Sequence, residues 1–222
     1  MGRDAFHVAP LMPSLEAHLM KQLLVIIPLL FAVLWADASS VTRLANETAE
    51  SFAMRNGPPQ TTLVHQVIET SAWGGKSEAI IAFYEQEVDQ SGQTYRRIVG
   101  YIYVPETNKT YRKVLIDTFE PEGGDPEIES VFFARVGKGK QPKLIIISSW
   151  PQVHYDFRGK LYATFVYQAP RPGTKVTKLT FEDGMSKKLE GGCECEWRDG
   201  TKSTAKYKTA GEVKAALRRI GR

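Results

Sequence analysis

The chain has 222 residues, 42% of them hydrophobic, with 29 lysines and arginines against 25 aspartates and glutamates for a formal charge of +4. The positive surplus is modest and scattered, which favours anionic partners without forming the basic track that nucleic acid requires. Cys193 and Cys195 are the only cysteines, so a cross-chain disulfide framework is excluded and the fold must hold by packing.

Residues 20–38, MKQLLVIIPLLFAVLWADA, have the three parts of a secretory signal if translation begins at Met20. Lys21 and the free amine supply charge, Leu23 to Trp35 supply the apolar run, and Ala36-Asp37-Ala38 supplies a small-x-small cleavage site before Ser39. The run falls short of the ~18 apolar residues of a spanning helix, and Pro28 interrupts it. Residues 1–19 then read as a start-site artefact, because Arg3, Asp4 and Glu16 give no consistent charge and Pro10 and Pro13 break any helix. The expectation is an exported product, periplasmic or secreted, that does not span the membrane after cleavage. Residues 39–222 then form a single domain with 27 basic and 22 acidic residues, a net charge of +5, and enough chain for a hydrophobic core.

From Val41 to Met54 apolar residues recur near helical spacing, with Ser39 or Ser40 as cap and Asn56-Gly57-Pro58-Pro59 as stop. This predicts an N-terminal amphipathic helix that contains the first of two N-x-T sequons, Asn46; both it and Asn108 are read as chance matches. From Thr61 the texture is that of strands. SEAIIAFYEQEV alternates Ala79, Ile81 and Phe83 with Ile80, Ala82 and Tyr84, and RRIVGYIYV sets Ile98, Ile102 and Val104 against Val99, Tyr101 and Tyr103. TYRKVLIDTF, IESVFFARV, PKLIIISSW and KLYATFVYQ follow, joined by short polar links that make consecutive strands antiparallel neighbours. LIIISSW is apolar on both faces and is placed most centrally.

QAPRPGTK, residues 168–175, is the one proline-rich break, and residues 176–222 could form a small C-terminal subunit. Within it Asp199-Gly200 signals a hairpin with a type I′ turn, and Thr209 with Glu212 forms a capping box before a helix bearing Val213, Leu217 and Ile220. The fold class predicted is therefore α+β and β-rich: an antiparallel meander of about seven to nine strands, with the N-terminal helix and a C-terminal hairpin plus helix.

SSWPQVHYDFRGKLY, residues 148–162, holds the densest set of versatile side chains. Trp150, Tyr155, Phe157 and Tyr162 offer rigid faces for sugar rings, and His154, Asp156 and Arg158 offer hydrogen bonds, although strands favour aromatics for packing alone. The loop RVGKGKQPK presents Lys138 and Lys140 to an anionic group, but it lacks the spacing and the following helix of a phosphate cradle. Cys193 and Cys195 point to one face of a strand, near the upper limit of the spacing a disulfide tolerates, so a local disulfide and plain structural cysteines both stay open, and Glu194 and Glu196 disfavour the thiolates of a redox pair. No metal site is expected, because residues 39–222 contain only His65 and His154 as histidines, and no cofactor motif is present.

Ser148 and Ser149 lack the G-x-S-x-G context of a nucleophile, and no carboxylate pair stands out for glycoside hydrolysis. The expectation is thus a non-enzymatic binding protein of the cell envelope that recognises an anionic or glycan ligand, or a protein partner that it inhibits. An envelope hydrolase acting on glycan or peptide through His154 is the alternative.

Overall fold

The computed structural model describes residues 40–73, 77–90, 92–107, 109–136, 141–170 and 174–220. The predicted signal, the residues before it, Asn108, Lys138 and Lys140 lie outside these ranges.

The protein is β-rich, and its strands divide between two antiparallel sheets. The first sheet comprises β1 (Ser40–Thr42), β2 (Thr62–Leu63), β3 (Ile68–Thr70), β4 (Ala79–Gln90), β5 (Gln93–Pro105) and β6 (Thr110–Phe119). In space the order is β1-β6-β5-β4-β2, with β3 also paired to β4. The second comprises β7 (Glu127–Ala134), β8 (Lys143–Val153), β9 (Phe157–Tyr167), β10 (Gly192–Trp197) and β11 (Lys202–Ser203), in the order β11-β10-β9-β8-β7.

Two sheets replace the single meander expected from short links. The change of sheet occurs in residues 120–126, between β6 and β7. That segment does not reverse in plane: it passes over the end of β8, where Trp150 Nε1 donates to the carbonyl of Glu120 (2.9 Å) and Gln152 Nε2 donates to that of Glu122 (2.6 Å). These side chains give the carbonyls of the link partners that a strand neighbour would otherwise supply.

The inner faces of the sheets share one core. Ile81, Phe83, Ile98, Ile102, Val114 and Ile116 from the first sheet pack with Leu144, Ile146 and Tyr167 from the second. Strand alternation sends the intervening residues outward, and these are apolar too, so each outer face needs a cover. On the first sheet α1 (Ala49–Asn56) lays Phe52 and Ala53 over Ile80, Ala82, Tyr84 and Tyr103. On the second, Leu189 after α2 (Asp183–Lys188) and Val213, Ala216 and Leu217 of α3 (Ala210–Ile220) cover Ile145, Ile147 and Val166. This layering of helix, sheet, sheet and helix explains why LIIISSW is buried on both faces.

The helix expected over 41–54 starts only at Ala49. Val41 instead pairs with Tyr111 at the edge of β6. Asn46 takes left-handed backbone (φ 62°), and the Glu47 carboxylate accepts the amide of Leu44 (2.8 Å), so the chain turns before the helix can begin. Thr48 then caps α1 by accepting the amide of Ser51 (3.1 Å). At the other end of the chain, Thr209 and Glu212 exchange backbone-to-side-chain hydrogen bonds at the start of α3.

Past β1 the edge of β6 is covered by the segment returning from β9, where Leu115 exchanges hydrogen bonds with Thr177 and Leu179 (2.8 Å each). Asp117, at the β-bulge of β6, accepts the hydroxyl of Tyr167 (2.9 Å) and the amine of Lys178 (2.6 Å), which ties the two sheets at this seam.

Candidate functional site

Two hairpin tips meet at one end of the second sheet. The first reverses from Val153 to Arg158, which pair across the strands, and is closed by a hydrogen bond from the amide of His154 to the carbonyl of Phe157 (2.9 Å). The second joins β10 to β11. It differs from the expected type I′ turn: the Gly200 amide bonds the Trp197 carbonyl (2.9 Å), and Gly200 has left-handed backbone (φ 85°) while Asp199 does not. This is a turn followed by a glycine bulge, and it leaves Arg198 and Asp199 at the apex. Asp199 accepts the hydroxyl (2.6 Å) and amide (2.9 Å) of Thr201, bonds that hold its carboxyl below the usual range.

The tips are locked together by a hydrogen bond from the Arg198 amide to the Asp156 carbonyl (2.8 Å). Above it the Arg198 guanidinium lies 4.6 Å from the centre of the Tyr155 ring, and Tyr155 is 87% exposed. Beside them Phe157 packs on Trp197 (4.6 Å between ring centres), and His154 stacks on the other side of Phe157 (4.4 Å). Trp197 keeps 37% of its surface exposed and Val153 keeps 84%. Tyr155, Arg198, Phe157, Trp197 and His154 line a shallow cleft of about 310 Å³.

Its charges are mixed. Glu196 lies between Arg158 (3.5 Å) and Lys202 (3.7 Å), so two cations share one carboxylate. Arg198 has no carboxylate partner among the described residues, although Asp156 also lines the cleft. A guanidinium resting on an aromatic face retains its donors for a planar anionic group.

Of the residues singled out from sequence, His154, Tyr155, Asp156 and Arg158 come together in this cleft. Trp150 does not: it is 3% exposed, and its indole N–H is used on Glu120. Even-numbered positions of β8 face the core, and that parity takes Trp150 inside. Tyr162 packs with the helices on the outer face. Lys138 and Lys140 lie outside the described residues. The sequence reading missed Trp197 and Arg198, which only the pairing of β9 with β10 brings to Phe157. Their one local signal was the Asp199-Gly200 turn that follows them.

Cys193 and Cys195 are disulfide-bonded on one face of β10, with alpha carbons 5.3 Å apart. Glu194 and Glu196 project from the opposite face, where Lys208 pairs with Glu194. Cys195 packs against Gly159 so closely that a β-carbon there would lie 2.1 Å from the Glu194 carbonyl oxygen. The glycine therefore sets the approach of β10, and with it the position of Trp197.

Among the described residues, the hydrogen bonds of His154 and of the two serines run to separate partners. His154 Nε2 is 3.1 Å from Gln152 Oε1, while Ser148 and Ser149 are fully buried and bonded to the Glu127 carbonyl (2.8 Å) and the Glu129 carboxylate (2.6 Å). His154 lies five positions beyond Ser149 along extended chain, on the order of 16 Å. Burial opposes ionisation of Glu129, but hydrogen bonds from Ser149 and Lys160 hold its carboxyl below the ordinary value.

Among the described residues no group of three or more histidine, cysteine, aspartate or glutamate side chains could hold a metal ion, and no helix is long and apolar enough to cross a membrane. No family model, curated protein or solved structure matches the chain.

Proposed function

We propose that this is a non-enzymatic, exported binding protein that takes an acidic glycan of the cell envelope into the cleft between the two hairpin tips. The observation that carries the reading is the pair of Tyr155 and Arg198, an almost fully exposed ring beneath a guanidinium that lacks a carboxylate partner among the described residues. The C–H face of a sugar stacks on Tyr155 and Trp197, and a uronate or comparable carboxylate is taken by Arg198 with Arg158 behind it. The shallow, open form suits one or two sugar units of a longer polymer, with the rest of the chain in solvent. Export rests on the signal pattern of residues 20–38, and the net charge of +5 on residues 39–222 favours the approach of a polyanion. The hydrolase alternative draws no support from His154, whose ring is held by Gln152 and Phe157.

Screening the protein against acidic and neutral envelope oligosaccharides tests this reading. Binding confined to the acidic set, and lost in both Tyr155→Ala and Arg198→Ala, is the expected outcome. Equal binding of neutral chains, or retention by both variants, overturns it.

A further inference from the structure

We propose that β7 is the edge through which two copies of this chain pair, antiparallel and around a two-fold axis, to continue the second sheet across both molecules. β7 is the outermost strand of that sheet, and its only backbone hydrogen bonds among the described residues run to β8. Edge strands of soluble proteins are normally blunted by charge, proline, a bulge or a cover.

The N-terminal half of β7 is guarded in this way, by Glu127, by Glu129 and by the bulge between Ile128 and Ser130. The run from Ser130 to Ala134 is not. It is SVFFA, without charge or proline, and each of its residues is half-buried. Val131 and Phe133 reach the inner core, and Phe132 and Ala134 pack beneath the helices of the outer face. Both faces of the sheet are covered, so the remaining exposure lies along the open edge. A strand added there would cover it on both faces at once.

Charge selects the partner and its direction. The acidic end holds Glu127 and Glu129, which share a single cation, Lys160 (2.7 and 3.0 Å), and so retain a net negative charge. The other end carries Arg135, exposed and without an ion-pair partner among the described residues. Antiparallel self-pairing sets each Arg135 against the acidic end of the other copy, and symmetry makes the contact twice. Parallel pairing would set like ends together. Edge-to-edge contact of so short a run is small, which places the dimer at the weak, reversible end of protein interfaces.

Sedimentation velocity of the full chain from dilute to concentrated solution, with hydrogen exchange at both extremes, provides the test. The expected result is a reversible dimer, with amides of residues 130–134 gaining protection as concentration rises. Arg135→Glu alters an exposed side chain and should weaken dimerisation at least about tenfold, and added salt should weaken it as well. A monomer at every concentration overturns the proposal. So does a dimer that Arg135→Glu leaves unchanged and that gives no protection to residues 130–134. Protection conferred on a monomer by an unrelated extended peptide would show the edge to be a peptide site instead.

Discussion

The hydroxyl oxygens of Tyr84 and Tyr103 lie 2.9 Å apart beneath the C-terminal end of α1, where Tyr84 donates to the carbonyl of Ala53 (2.7 Å) and Tyr103 to that of Asn56 (3.1 Å). The last carbonyls of a helix lack intrahelical donors, and here the sheet supplies them, with Lys113 Nζ also reaching Asn56 (2.7 Å). α1 is therefore fixed by polar bonds as well as by Phe52. Tyr84→Phe should destabilise the protein by about 1–2 kcal/mol, because it removes a donor from a buried carbonyl. Chemical denaturation measures the loss.

The same pair predicts the alkaline limit. Burial pushes Tyr84 up to about 12 from the ordinary value of 10.0, and burial raises Tyr103 as well. A group whose folded value is raised contributes stability that is fully present below its unfolded value and is lost as pH rises towards the folded one. The midpoint of unfolding should thus be unaffected by these groups below pH 10 and fall between about pH 10 and 12. Tyr84→Phe should flatten that fall in a denaturation series against pH.

Glu47 sets the corresponding acid response. Hydrogen bonds from Arg55 (2.7 and 2.8 Å) hold its carboxyl down to about 2 from 4.5, and the Leu44 amide adds to them. A lowered carboxyl stabilises the fold above its unfolded value, and that contribution disappears as pH falls from 4.5 towards 2. Glu47→Gln should reduce stability at neutral pH and shrink the loss across this window, as read from thermal melts at successive pH values.

Gly159 predicts a coupling between strand pairing and the cleft. In Gly159→Ala the added methyl meets the backbone of β10 at 2.1 Å, so β10 must shift. The cost should exceed about 2 kcal/mol, and Trp197 emission should change even where the protein stays folded. An unchanged melt and spectrum would show that β10 accommodates the methyl freely.

Much of the β framework was legible because alternation and turn chemistry are local. The strands around Ile81, Ile102 and Ile146 show it in their own residues. Their division into two sheets was not, since a link that changes sheets resembles one that turns back, and only the bonds from Trp150 and Gln152 reveal the route. The start of α1 was misplaced because apolar spacing from Val41 onward suits both a strand edge and a helix. The tip of the β8–β9 hairpin was legible as a candidate site from its composition. Trp197 and Arg198 were not, because they lie about 40 residues further along and reach the site through sheet pairing.

The central claim is that Tyr155 and Arg198 form the core of a site for an acidic sugar, and isothermal titration with an oligogalacturonate tests it most directly. The wild-type chain should bind, and Tyr155→Ala, which removes an exposed ring, should bind at least about tenfold more weakly with an unchanged melting temperature. Equal affinity of wild type and Tyr155→Ala would contradict the account.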